Sequence, residues 1–314
     1  MYGELRGNDI DIGLVNNMPD SALEATERQF LALLDAAADG MTIRVTFYTM
    51  PDIPRSESGQ RHVSAYRPIS DLWNTHLDGL IVTGTEPRTP NLEAEPYWAS
   101  LTGLMDWANS NTSSAIWSCL AAHAAVLYGD GIPRRKLDAK RSGIFECEAV
   151  NGHELTAGVP TCLWMPHSRW NDLPGNALES AGYRILLRSK AGMDVFAKQR
   201  KSLFLFFQGH PEYDGDTLLR EYRRDIRRYL RFESETYPTL PQSYFDDATT
   251  ADCTALKERA MCDRREEIIE DFPKVPEVAN KWRSTAVHIY GNWLSYLARR
   301  KTPQFAHATE TACA

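Results

Sequence analysis

Apolar residues fall in short continuous runs alternating with segments of helical spacing over the first 133 residues. "DIDIGLVNN" (9–17) reads as a buried strand. In the segment after it Leu23, Phe30, Leu31 and Leu34 recur on one helical face, and Ser21 with Glu24 has the spacing of a capping box. "MTIRVTFYTM" (41–50) is a second strand that stops at Pro51, and "HLDGLIVTGTEP" (76–87) a third that runs into a glycine turn. "YWASLTGLMDWANSN" (97–111) predicts a helix, "SSAIWSC" a strand, and the Ala-rich run closed by Gly129 and Gly131 another helix. Strand and helix alternating in this way predict a doubly wound, flavodoxin-like α/β fold with a mostly parallel sheet and helices on both faces. Right-handed crossovers then gather the loops at the C-terminal ends of the strands, where ligands bind in such sheets.

The pattern changes after residue 133. "SGIFECEAV" (142–150), "YRILLRS" (183–189), "MDVFAKQ" (193–199) and the apolar part of "SLFLFFQGHPEYD" (202–214) are short strands with charged turns, which predict an antiparallel extension. A helix is expected from Gly215 to about Arg231, a long surface loop over 232–262, a charged helix start over 263–272, and an amphipathic helix over 280–300 that docks on the core. Residues 1–300 are read as one α/β domain and 301–314 as a disordered tail.

Composition narrows the function classes. The chain has 314 residues, 43% of them hydrophobic, and a formal net charge of -7, which argues against a nucleic-acid partner. The basic run "REYRRDIRRYLR" alternates with apolar residues and reads as a solvated helix face. No apolar run is long enough to span a bilayer, and "MYGELRGNDIDIG" has no signal-peptide core, so no membrane partner is expected. Six cysteines lie far apart without a CxxC pair or zinc-finger spacing. Reduced thiols in the cytoplasm and no structural metal are the expectation. "GTEPRTP" lacks the ending of a phosphate-binding P-loop.

Two segments carry candidate chemistry. Cys119 stands where a strand passes into a helix. There the helix dipole and free backbone N–H groups favour a thiolate, and the N–H of Leu120 points to where an oxyanion forms. The turn after the preceding strand, at Gly84 and Thr85, offers a second N–H. Read locally, the same position also suits a buried inert thiol. The second segment ends a strongly apolar strand with His210, Pro211 and Glu212, on the same sheet rim as Cys119. A nucleophile, a base and a carboxylate that orients the base form a catalytic set. His123, one turn into the Ala-rich helix, is read as a packing residue.

"WSCLAAHAAVLYGDGIPR" followed by "GHPEYDGDTLLREYRRD" resembles the class I glutamine amidotransferase-like group. With "IGLVNNMPDSALEATERQFLALL", "DGLIVTGTEP", "PHSRWNDLP" and "GNWLSYL", the chain is similar over residues 9–298 to the homoserine O-acyltransferases of methionine biosynthesis. That resemblance implies an acyl-CoA-dependent enzyme with no bound cofactor. Cys119 would be the acyl-thioester nucleophile, His210 the base and Glu212 its partner. Glu221 and Arg224, three apart on a helix, would hold the ammonium and carboxylate of the amino acid, with Lys140 and Ser168 at further substrate positions. The small-molecule substrates would be an acyl-CoA and homoserine or serine, and the assembly a homodimer.

The chain also departs from the resemblance. Related enzymes carry lysines just after the "MP" of the first loop, where Asp20 and Ser21 stand here, so a cation near the oxyanion is missing or comes from elsewhere. At the acyl-selectivity position of the "TG" loop stands Arg88, whose guanidinium suits the carboxylate of a succinyl donor or a CoA phosphate. Succinyl-CoA is therefore favoured over acetyl-CoA. A glutaminase using the same three residues, and a non-catalytic binding protein on the same fold, are the alternatives.

Overall fold

The sheet begins as the apolar runs predict. In the computed structural model, which describes residues 9–301 apart from 151 and 161, β1 (Asp9–Val15) leads through a short 3-10 turn (Asp20–Ala22) into α1 (Leu23–Ala37). β2 (Thr42–Thr49), α2 (Glu57–Val63), the two-residue β3 (Arg67–Pro68) and β4 (Leu77–Val82) follow. Then come α3 (Trp98–Asn111), β5 (Thr112–Ser118) and α4 (Leu120–Asp130). The second half supplies β6 (Arg135–Ala149), β7 (Leu163–Asp172), α5 (Gly175–Ser180), β8 (Arg184–Ser189), β9 (Gly192–Gln199) and β10 (Leu203–Phe207). α6 (Thr217–Leu230), α7 (Asp247–Cys262) and α8 (Arg283–Lys301) complete it.

Among the described residues, ten strands form one sheet in the order β3-β2-β1-β4-β5-β10-β9-β8-β6-β7. The six strands from β3 to β10 pair in parallel, and β10 to β7 pair antiparallel. Chain order reverses at β1, which has β2 on one side and β4 on the other, the topological switch where such sheets open a ligand crevice.

Burial on both faces explains the continuous apolar runs. In β10, Leu203, Leu205 and Phe207 enter a core shared with α1 and α8, whereas Phe204 and Phe206 enter a second core shared with α3 and α4. β5 divides in the same way, with Ile116 on one side and Ala115 and Trp117 on the other. Each such side chain contributes roughly 1.5–3 kcal/mol on burial. α8 is fastened beneath the parallel strands by Trp293, wholly buried, whose indole N–H donates to Ser114 Oγ at 2.9 Å.

Several expectations are corrected. The stretch 232–262 is not all loop, because α7 occupies its second half, capped by Asp246, which accepts from the Thr249 N–H at 2.7 Å. Residues 263–272 form a 3-10 turn at Glu266–Asp271 rather than an α-helix start. Ser21 caps nothing: α1 has no side-chain cap, and the neighbouring Asp20 carboxylate accepts instead from the Ser56 N–H and hydroxyl, both at 2.7 Å. Leu31 is 41% exposed, and the inward face of α1 is carried by Leu23, Phe30, Leu33 and Leu34. β6 begins seven residues earlier than 142, at Arg135, and pairs with β7, which the apolar pattern did not separate from its surroundings. Of the expected tail, only Lys301 is among the described residues, where it ends α8. No described helix is long and apolar enough to cross a membrane.

Candidate active site

Cys119 is the elbow between β5 and α4. Its backbone lies at φ 52° and ψ −113°, a conformation that non-glycine residues rarely adopt. The surroundings hold it there: its N–H donates to the Phe207 carbonyl at the end of β10 at 2.7 Å, and its own carbonyl accepts the His123 N–H at 3.2 Å. The sulfur is thereby presented, half-buried, at the start of a helix.

The turn after β4 lies against this elbow because Gly84 has no side chain. A Cβ there would stand 3.1 Å from the Leu120 nitrogen and 3.3 Å from the Ser118 carbonyl oxygen. Gly84, Thr85, Cys119 and Leu120 all line one cavity of about 550 Å³. Backbone from two separate loops thus meets beside the sulfur.

β10 delivers the base. The His210 N–H donates to the Pro166 carbonyl on β7 at 2.9 Å, and its ring stacks on Tyr213 with centroids 4.3 Å apart. Nδ1 lies 2.9 Å from Glu212 Oε1, which assigns Nδ1 as the protonated nitrogen and leaves Nε2 for the Cys119 side. Burial alone would lower the proton affinity of His210. The charges of Glu212 and of Cys119 outweigh it and hold the imidazole well above its ordinary range. His123 is the opposite case. It is buried in α4 and hydrogen-bonded to Gln208 at 3.0 Å, and burial together with the Arg169 charge pushes it down to about 3, so it stays neutral.

Across the cavity, α6 meets the β6–β7 hairpin. Glu221 accepts from the Ser168 hydroxyl and, at 2.7 Å, from the Tyr213 hydroxyl, and Lys140 stands 3.7 Å away. Burial would raise this carboxyl, but Lys140, Arg224 and the two hydroxyls keep it below the usual carboxylate range. Glu221 and Arg224 do not pair with each other. Arg224 donates twice to Asp225 at 2.9 and 2.8 Å, and Asp225 also takes Lys140 at 2.7 Å. Asp225, one helical turn beyond Glu221, is the member of this cluster that the sequence reading passed over, and the i, i+4 spacing was its signal. Residues 236–239, from the segment read as a plain surface loop, close another side of the cavity.

The sequence-predicted residues thus converge with one exception. Arg88 is exposed and does not line the cavity; its backbone N–H donates to Glu95 Oε1 at 2.7 Å. The guanidinium beside Cys119 is that of Arg134, from the loop between α4 and β6. In the first loop Met18 and Pro19 reach the cavity, and Asp20 turns away to Ser56 and Arg55. Among the described residues no group of three or more His, Cys, Asp or Glu side chains is placed to hold a metal ion.

The doubly wound sheet is a fold that glutamine amidotransferases also adopt. A glutamine amidotransferase from Methylobacillus flagellatus superposes on it with a TM-score of 0.50, over 92% of this chain and 95% of that one, at 15% identity, a likeness of fold alone. By its sequence the chain belongs to the homoserine O-succinyltransferase family, whose model matches residues 5–304. It is 47% identical to a homoserine O-succinyltransferase from Rhodopseudomonas palustris, over 92% of this chain and 88% of the relative. To one from Bradyrhizobium japonicum it is 44% identical, over 94% and 93%. The chain is accordingly a transferase of that family.

Proposed function

We propose that this enzyme transfers a succinyl group from succinyl-CoA to the hydroxyl of homoserine, in the cytoplasm and within methionine biosynthesis, through a thioester on Cys119. The observation that carries the reading is one cavity lined by Cys119, by His210 with Glu212 behind it, and by Glu221, Arg224, Lys140 and Ser168.

In the first half-reaction the Cys119 thiolate attacks the thioester carbonyl of succinyl-CoA. The developing oxyanion accepts from the N–H of Leu120 and from the turn at Gly84 and Thr85, each donor contributing ~3 kcal/mol to the transition state. The His210 imidazolium protonates the departing CoA sulfur as the carbon–sulfur bond breaks, leaving an acyl-enzyme and a neutral imidazole. Homoserine then enters with its ammonium at Glu221 and its carboxylate at Arg224. Arg224 has to exchange its bond to Asp225 for the ligand, and bidentate guanidinium geometry suits that exchange. Neutral His210 takes the hydroxyl proton while the oxygen attacks the acyl carbon. Collapse releases O-succinylhomoserine and restores the thiolate and the imidazolium. Neither half-reaction needs a bound cofactor. The same reading takes residues 1–300 as one acyltransferase domain that pairs as a homodimer, which sedimentation at micromolar concentration checks.

Incubation with succinyl-CoA alone is expected to add a succinyl mass to the protein, and homoserine to discharge it. Cys119→Ala should abolish both and lower turnover by roughly 10⁵-fold or more. Full turnover in Cys119→Ser, or no acyl-enzyme in the wild type, refutes the mechanism. Ammonia release from glutamine would replace it with a glutaminase, and serine acylated as fast as homoserine would change the acceptor.

A further inference from the structure

Among the described residues, five Lys or Arg side chains line the cavity, and four of them have a carboxylate at ion-pairing distance. Lys140 is held by Asp225 at 2.7 Å, Arg169 by Asp172 at 2.7 Å, Arg224 by Asp225 at 2.8 Å, and Arg228 by Glu86 at 2.8 Å. Arg134 is the fifth. Its one side-chain hydrogen bond goes to a neutral group, the Pro90 carbonyl at 3.2 Å, and among the described residues no carboxylate stands at ion-pairing distance. It is half-buried beside Cys119. Burial outweighs the favourable charges of Tyr97, Glu95 and Cys119 around it, which leaves room for a further anion to offset its desolvation.

The loop around it is built to keep it in place. Glu95, 3% exposed, uses Oε1 to accept the backbone N–H groups of Arg88 and Thr89, both at 2.7 Å. That folds the "TG" loop with Arg88 outside the cavity lining and the Pro90 carbonyl receiving Arg134. Arg88, at the position where sequence places acyl selectivity, is exposed and lies outside the cavity lining.

We propose that Arg134 is the specificity-determining residue for the acyl donor, binding the distal carboxylate of the succinyl group while Cys119 attacks its thioester carbon. The inference rests on the succinyl-transfer reading above. The carboxylate lies two methylenes beyond the thioester carbonyl, on the opposite side from CoA, and Arg134 lines the cavity wall next to the nucleophile. The other free end of the chemistry, the amino acid, has its own cluster on α6. A planar fork of N–H donors matches a carboxylate and gains nothing from the methyl group of a butyryl donor.

The test compares acylation of Cys119 by succinyl-CoA and by butyryl-CoA, the donor of similar length without the carboxylate, in the absence of homoserine. In the wild type succinyl-CoA is expected to be favoured by about 10²-fold or more in kcat/KM. Arg134→Gln should cut the succinyl-to-butyryl ratio by about 10²-fold, and Arg134→Lys should restore part of it. An equal loss with both donors in a variant with wild-type thermal unfolding would show a general role at the oxyanion and overturn the proposal, as would an unchanged ratio. If Arg134→Gln does not fold, Arg134→Lys carries the test, and an unchanged succinyl-to-butyryl ratio in that variant overturns the proposal, as does equal acylation of the wild type by the two donors. A wild type that forms no acyl-enzyme with succinyl-CoA but does with another acyl-CoA fails the underlying reading, and is distinguished by its intact thioester.

Discussion

At Cys119 the decisive quantity is where one proton sits. His210 is buried, which opposes its charge, yet Glu212 at 2.9 Å and the neighbouring sulfur overcome that cost. Its folded-state value lies above the ordinary 6.5, so the imidazolium persists to higher pH than a free histidine and is lost only as pH rises through the raised value. The alkaline limb of kcat/KM for succinyl-CoA should therefore lie above the usual histidine range. Glu212→Gln removes the principal stabilising charge. It should move that limb to lower pH by about one unit or more and slow acylation by roughly 10²–10⁴-fold. A pH–rate profile of the variant with an unmoved limb would contradict this account. His123 supplies the contrast, since it is neutral at any working pH. Proximity in sequence to the nucleophile gave it no part in the proton balance; burial decided that.

The elements matter through the places where they touch. The strap between α6 and α7 crosses the β6–β7 hairpin at Gly143. There the Ile144 N–H donates to the Gln242 carbonyl at 2.9 Å, and the Gln242 N–H to the Ser142 carbonyl at 2.9 Å. Gly143 sits at φ 141°, and a Cβ would fall 2.4 Å from the Gln242 oxygen, so both the backbone angle and the contact demand glycine. The same hairpin carries Lys140 and Ser168, and the strap closes the cavity. Gly143→Ala should cost ~1–3 kcal/mol in denaturant unfolding and raise the KM for homoserine several-fold. An unfolding midpoint equal to the wild type would show that the strap is held by other contacts. α7 escaped the sequence reading for a physical reason. Its buried positions, Thr249, Cys253, Leu256 and Ala260, are helically spaced but mostly small or polar, so the apolar stripe is faint until Tyr222, Ile226 and Ile269 are seen to cover it. The expected inward Leu31 failed because α1 turns Leu33 to the core instead.

Over the whole molecule, charge burial sets the pH range of stability. Glu221 and Asp225 at the cavity and Asp172 behind it would each be raised by burial, but facing cations keep all three below their ordinary values of 4.5 for Glu and 3.8 for Asp. Their contribution is complete above those values and is lost as pH falls through the lower folded ones. His210 acts in the other direction, stabilising below 6.5 and losing its contribution as pH rises through its raised value. Unfolding free energy measured by denaturant should fall by roughly 2 kcal/mol or more between pH 5 and pH 3; a flat profile would contradict the ion-pair assignment. The sequence by itself determined the parallel sheet, the elbow at Cys119, the His210–Glu212 pair and the Glu221–Arg224 helix, because apolar periodicity and short-range spacing are local properties of a chain. Only the tertiary structure decided that Arg224 rests on Asp225, that the strap walls the cavity, and that Arg134 rather than Arg88 shares the cavity with Cys119. Those outcomes depend on which groups meet across long stretches of chain and which charges find a partner there. A guanidinium's partner is set by the packing of distant loops, here by Glu95 folding the "TG" turn, and no spacing along the sequence records it.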